Sequence, residues 1–446
     1  MASLAVRSLA RRAQPGAPAL NGVSLEVDDG RIAALVGPAG TGKTALLRAI
    51  AGLDPLERGD VLIDGVSVLN RPAHERRIGL VFQDLALFEA QTARQNVAFG
   101  MRARGWSVEQ CARQADELLG HVGLGDHAER PVGELSPEAR GRIALARAIA
   151  PRPDLLLLDE PAATLGELQR SLWRDLLGEL LHDFGVTALV ATQDVREAAA
   201  FADMTAVFMR GRVLQLGPTA RVLASPSSTI VAELVGYQRL IEGTWENGEL
   251  LEPGVGSLPG PEMPPIEPTA TAMAHPAAMF AIPAEQDLGA GLVGSVERAI
   301  PEGPAWHVRL RLDAAGMRSV VARWEWDLRP PAVGTRLAIV VVPGTLRFFT
   351  SSGHAVDRHP RATPRRADAA ASEPAALEVD AEPPAAGPST ESPADGPGAE
   401  SPANGHANGN GSGHLATETI PLEPPPASDV SVISEAARRP ELPPVE

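Results

Sequence analysis

The eight residues Gly37-Pro38-Ala39-Gly40-Thr41-Gly42-Lys43-Thr44 fit the spacing G-x-x-x-x-G-K-[ST], with the apolar run Ile32-Ala33-Ala34-Leu35-Val36 before them and Ala45-Leu46-Leu47-Arg48-Ala49-Ile50 after. This is strand, glycine loop and helix, the arrangement in which backbone N–H groups converge on phosphate oxygens at a positive helix N-terminus. In it Lys43 bridges the outer phosphates of a nucleotide and the Thr44 hydroxyl holds Mg²⁺. Lys43 is the only lysine among 446 residues, all other Lys or Arg positions being arginine. A compact ammonium on a flexible stem does not interchange with a planar guanidinium, so the one retained lysine marks the loop as a nucleotide site. A second reactive pair, Asp159-Glu160, follows Leu155-Leu156-Leu157-Leu158, which reads as a strand buried on both faces. Ligands of open α/β sheets bind at the C-terminal strand ends, where Asp159 reaches the Mg²⁺ water shell and Glu160 an attacking water. The alternative, a solvated loop with a helix cap, fits poorly beside a phosphate loop.

Elements that position these residues are legible on either side. Leu4-Ala5-Val6 and residues 23–27 alternate like half-buried strands, residues 61–65 and 78–82 read as further strands, and the second of these ends at Gln83. From about Arg94 to Ala150 the period is helical. A strand over residues 187–191 leads to Thr192-Gln193-Asp194, and residues 206–214 form a hairpin. Past Gly236 short strands broken by Pro and Gly (residues 244–250, 279–282, 293–298, 307–312, 319–326 and 336–342) predict a small all-β domain with barrel-like spacing. Residues 352–446 hold no aromatic and are rich in Pro, Ala, Gly, Ser and Glu, a composition that predicts disorder.

Length predicts about two to four domains. One cysteine, Cys111, allows no internal disulfide and fits a reducing compartment. No run approaches the ~20 apolar residues of a membrane span, so any membrane role is expected to be peripheral. The net charge of −16 argues against nucleic acid as a general partner, and more than half of it falls from Asp357 onward.

Five stretches in this order resemble the ATP-binding subunits of ABC transporters, over residues 1 to about 350. Residues 37–44 are similar to the Walker A loop, Val81-Phe82-Gln83-Asp84 to the Q-loop, and residues 155–161 to Walker B with its following glutamate. Leu135-Ser136 with Arg142-Ile143-Ala144-Leu145-Ala146-Arg147 stands in the place of the family signature, and Ala191-Thr192-Gln193-Asp194 in that of the switch histidine. The β domain resembles the regulatory barrel of importer ATPases for oxyanions, polyamines, iron and sugars. The resemblance implies an α/β P-loop NTPase over residues 1–235 with a helical subdomain at about 84–150, a TOBE-like barrel over 236–351, and a tail over 352–446. It also implies ATP and Mg²⁺ as cofactors. Glu160, Gln83 and Gln193 stand at catalytic positions, Thr44, Gln83 and Asp159 at the metal, and Ser136 toward a partner's ATP. Implied partners are a second ATPase subunit, identical or not, membrane permease subunits and, indirectly, an extracytoplasmic solute-binding protein. The implied location is the cytoplasmic face of the cell membrane.

Departures from the family pattern bear on rate. Where the family has Leu-Ser-Gly-Gly-Gln, this chain has Leu135-Ser136-Pro137-Glu138-Ala139. That is a sound helix start, with a capping Ser, Pro in the first turn and Glu near the positive end. As a phosphate site it loses an N–H at Pro137 and gains a carboxylate, whose repulsion reaches up to ~4 kcal/mol at 4 Å. Gln193 donates a hydrogen bond but carries no proton. Gly166 stands where the family has an aspartate, and no aromatic precedes Phe82 to stack on adenine; Arg11 or Arg12 could take that place, or simply be solvated. Both ATP sites are therefore weakened in any pairing. The expectation is a slow transport ATPase or, alternatively, a nucleotide-binding regulatory subunit with little activity; a soluble ABC ATPase of DNA repair or translation fits the barrel less well.

Overall fold

The computed structural model describes residues 2–12, 19–163, 165–260, 267–286, 292–302, 305–312, 318–325, 327, 329–342 and 344–356. In chain order the first part comprises β1 (Leu4–Arg11), β2 (Leu20–Val27), β3 (Ile32–Val36), α1 (Lys43–Ala51), β4 (Arg58–Ile63), β5 (Val66–Ser67), β6 (Ile78–Val81), α2 (Ala93–Ala103), α3 (Val108–His121), α4 (Pro137–Ile149), β7 (Leu155–Asp159), α5 (Glu167–Phe184), β8 (Ala188–Thr192), α6 (Val195–Phe201), β9 (Met204–Met209) and β10 (Arg212–Pro218).

A six-stranded sheet runs β10-β9-β3-β8-β7-β6, parallel except for the β9–β10 hairpin, and an antiparallel sheet runs β2-β1-β4-β5. Strand β7 shows why the apolar runs are continuous. Leu155 and Leu157 enter one core with α1 and the antiparallel sheet, while Leu156 and Leu158 enter the other with α2, α3, α4 and α5. Side chains alternate across a strand, so a strand covered on both faces must be apolar at every position. Its far end, Asp159, is thereby carried to the sheet's C-terminal edge.

Local chemistry starts the helices over residues 93–149. Thr92 with Gln95 and Ser107 with Gln110 form reciprocal capping boxes, and Ser136 accepts from Ala139 N with Pro137 in the first turn. Buried Asn96 ties the preceding loop to α2, its Oδ1 accepting from Phe88 N at 2.9 Å and its Nδ2 donating to Phe88 O at 3.0 Å.

Beyond β10 come α7 (Thr219–Ala224), α8 (Thr229–Leu234), β11 (Gln238–Glu246), β12 (Glu249–Glu252), β13 (Gly256–Pro259), β14 (Thr269–Ala274), β15 (Met279–Pro283), β16 (Val293–Glu302), β17 (Ala305–Arg311), β18 (Ser319–Trp324), β19 (Arg336–Val341) and β20 (Arg347–Thr350). The barrel is present and closed, in the order β15-β18-β17-β16-β19. Beside it lies a five-stranded sheet, β13-β12-β11-β14-β20, that the sequence reading did not separate from it. The single strand expected over residues 244–250 is in fact a hairpin. Asn247 and Gly248 both take positive φ, 51° and 86°, and turn β11 back along β12. The Asn-Gly pair was the missed signal.

Most of the tail, residues 357–446, lies outside the described residues, as does Trp326. Residues 352–356 are described and engaged: Ala355 N donates to Ser227 O and Val356 N to Phe348 O, so the ordered chain continues past the expected end at residue 351.

Candidate functional site

The phosphate loop is held open by its glycines. A Cβ on Gly37 would fall 2.1 Å from the Phe208 carbonyl oxygen, and Gly42 takes φ 107° just before α1. Only glycine satisfies both the close approach and the left-handed turn. Thr41 Oγ1 donates to Pro38 O at 2.9 Å and closes the loop on itself.

A pocket of about 300 Å³ opens over this loop, lined by Lys43, Thr44, Gln83, Glu160 and Gln193 with Ala39, Gly40 and Gly42. Lys43 is buried, its Nζ donating to Gly37 O at 2.8 Å and Pro38 O at 3.0 Å and lying 3.2 Å from Glu160 Oε1. The other oxygen of Glu160 accepts from Gln193 Nε2 at 2.6 Å. Glu160 sits at φ 47°, a conformation that costs a non-glycine residue about 1–2 kcal/mol and is tolerated where surrounding contacts demand it. Thr44 Oγ1 donates to Asp159 Oδ1 at 3.2 Å. Burial raises the Asp159 pKa, and the Thr44 bond offsets part of that. These two oxygens are hard donors of the kind Mg²⁺ takes.

Ser136 does not line this pocket. It stands at the N-terminus of α4, where its Oγ accepts from Ala139 N at 3.2 Å. The sequence reading of Glu138 as a bare negative charge is corrected: Arg142, one helical turn on, pairs with it through Nη2. The i,i+4 spacing was visible in the sequence and had gone unused.

Arg11 is also corrected as an adenine platform. It is buried and its Nη1 lies 2.6 Å from Asp54 Oδ2, so its guanidinium is committed; Arg12 is solvent-facing, 3.6 Å from Glu57. Asp54 accepts from Arg48 as well, at 2.9 Å, and both Arg48 and Asp54 line the pocket. The Arg48 hydrogen bond lowers the Asp54 pKa, with Arg11 adding to it against the opposing effect of burial. A lowered carboxylate adds stability above its unfolded pKa, and that stability is lost as pH falls through the folded value. Asp54→Asn should therefore destabilise the chain by about 1–3 kcal/mol at neutral pH and by progressively less in acid. Thermal unfolding between pH 7 and pH 3 checks this; an equal deficit across the range would show that Asp54 acts by shape alone.

Two further arginines were missed as individuals. Arg147 on α4 donates to Leu85 O and Ala86 O, both at 2.7 Å, and so ties the signature helix to the backbone just after Gln83; those two residues have φ 61° and 43°. Arg76 closes the end of α1 by donating to Ile50 O at 2.7 Å and Ala49 O at 3.3 Å. Burial lowers the pKa of each.

A profile of the ABC transporter family matches residues 20–163. The chain is 43% identical over 277 residues to the Fe(3+) ions import ATP-binding protein FbpC of Streptomyces coelicolor, covering 61% of this chain and 78% of that one. It is 36% identical over 342 residues to the sulfate/thiosulfate import ATP-binding protein CysA of Methylococcus capsulatus, with 74% and 95% covered. To the spermidine/putrescine import ATP-binding protein PotA of Thermotoga maritima it is 38% identical over 226 residues, with 50% and 61% covered. The alignment with the Methylococcus protein is longer than the part holding the phosphate loop, as expected for shared architecture beyond the ATPase core. With this extent of identity and a phosphate loop facing a carboxylate at a sheet's C-terminal edge, the chain belongs to the ABC transporter family, as an ATP-binding, energy-coupling subunit of the importer type.

Proposed function

We propose that residues 37–44 hold Mg²⁺–ATP in one half of a composite site completed by a second ATPase subunit, and that hydrolysis there is slow. The observation that carries this reading is the Glu160 carboxylate, shared between Lys43 Nζ at 3.2 Å and Gln193 Nε2 at 2.6 Å. In this reading the arriving γ-phosphate takes Lys43 from Glu160 and releases one carboxylate oxygen to accept a proton from water. Gln193 keeps the other oxygen aimed, and Gln83 lines the same space. Thr44 and Asp159 would hold Mg²⁺, which supplies charge neutralisation at the phosphates.

Slow turnover follows from the donors left at the signature. Pro137 has no N–H, and the Ala139 N–H is already taken by Ser136 Oγ. The Glu138–Arg142 pair offsets part of the repulsion, and the missing donors remain. Residues 1–235 are assigned to the ATPase and 236–351 to the regulatory barrel, with residues 353–356 bonded both to residues 227–229 of the first and to residues 348–350 of the second. The permease subunits would place the chain at the cytoplasmic face of the membrane.

Restoring Gly, Gly and Gln at residues 137–139 should strengthen ATP-dependent dimerisation, and Gln193→His should raise phosphate release once the dimer is closed. One transition-state donor is worth roughly 10²–10³ in rate. The combined repair is expected to exceed either alone in steady-state phosphate release with the permease present. Turnover near the ~10 s⁻¹ of a median enzyme in the unmodified chain, with no gain from either repair, would overturn the slow reading. No measurable release even after repair would instead favour a regulatory subunit.

A further inference from the structure

We propose that Arg77, Arg104 and Arg152, with Trp106, form a phosphate-binding site separate from the nucleotide loop. The three arginines come from distant parts of the chain and line one open cleft together with His74, Trp106 and Pro151. Arg77 immediately precedes β6, Arg152 lies just before β7, and Arg104 ends α2. Strands β6 and β7 are parallel, with Ile78 opposite Leu155 and Val81 opposite Leu158. Their N-terminal ends therefore meet at the sheet edge opposite to Asp159 and Glu160, remote from the site already described.

Charge in this cleft is unbalanced. Arg77 Nε lies 3.1 Å from Asp154 Oδ2. Arg104 Nη1 donates to Pro151 O at 2.6 Å and Arg152 Nη2 to Gln114 Oε1 at 3.1 Å, both neutral acceptors. Three guanidinium groups thus share one carboxylate in direct contact, and Glu75 is nearer to His74, at 3.7 Å. Burial and the like charge of Arg77 lower the Arg104 pKa, with Asp154 opposing; the charge of a bound anion would act in the same direction as Asp154. In a chain of net charge −16 this cluster runs against the overall sign.

Two of the arginines stand here at a backbone expense. Arg77 and Arg152 have φ 55° and 50°, a region where glycine or asparagine is cheaper by about 1–2 kcal/mol. The Arg152 guanidinium carbon lies over the Trp106 ring, 5.8 Å from its centre and within cation–π range. Planar guanidinium forks match phosphate oxygens in bidentate fashion. The ligand class is therefore a phosphate group of at least two negative charges, borne either by a free small molecule or by a lipid headgroup.

The test uses the full chain carrying Lys43→Ala, so that the nucleotide loop does not compete, titrated with sodium pyrophosphate at constant ionic strength by calorimetry. Arg104→Gln with Arg152→Gln should weaken binding at least tenfold and each single variant by a smaller factor, whereas Arg309→Gln on β17, the same loss of charge as one of these single variants, should leave it unchanged. Flotation with phosphatidylcholine vesicles, with and without phosphatidic acid, forms the second arm. Binding that depends on the two arginines in either arm supports the site and identifies its source as free phosphate or headgroup. Binding insensitive to them in both arms, or equally sensitive to Arg309→Gln, overturns it. Should the double variant lose its unfolding transition, Arg152→Gln alone serves, since its described contacts are only the Gln114 amide and the Trp106 ring.

Discussion

Glu160→Gln should bind ATP about as well as the unmodified chain and release phosphate roughly 10²–10⁴ times more slowly, the range lost with a positioned general base. The substitution is close to isosteric. Gln193 Nε2 still finds an oxygen to bond, and Lys43 keeps its two loop carbonyls, so the pocket's shape survives. In the proposed function, what disappears is the atom that accepts the water's proton. If, as proposed, ATP closes a dimer that hydrolysis reopens, this variant should also accumulate as an ATP-bound dimer. Single-turnover phosphate release and light scattering with ATP measure the two effects. Turnover within threefold of the unmodified chain would remove Glu160 from the chemistry.

Lys43→Ala should weaken ATP binding by at least ~10²-fold, since two charged hydrogen bonds to phosphate, each worth about 1.5–3 kcal/mol, are lost. The fold should survive. Lys43 Nζ contacts loop carbonyls and Glu160 beside an open pocket, and water can replace it there. Nucleotide affinity and thermal unfolding measured together separate loss of site from loss of structure. The composition offers a second readout on the unmodified protein. Lys43 is the single lysine, so acylating reagents find only it and the α-amino group, and ATP should protect it. Unchanged affinity in the variant, or acylation indifferent to ATP, would mean that the loop does not bind the phosphates.

The sequence by itself determined the phosphate loop, the strand ending in Asp159-Glu160, the helical stretch from about Arg94 to Ala150 and the presence of a β barrel. Each of these is written locally, in glycine spacing, continuous apolar runs, capping pairs and alternation, and a local pattern survives reading one segment at a time. Where local signals were present but unused, as with Asn247-Gly248 and the Glu138–Arg142 spacing, the shortfall lay in the reading and not in the chain. Only the tertiary structure decided that Glu160 is shared by Lys43 and Gln193, that Arg11 is buried against Asp54, and that Arg77, Arg104 and Arg152 meet in one cleft. It also decided that β11 to β14 and β20 leave the barrel as a sheet of their own. The physical reason is strand order. Placing β3, β8, β7 and β6 side by side brings together strand ends far apart in sequence, and that order is set by which faces bury which apolar surface across the whole core, a global sum that no single segment contains.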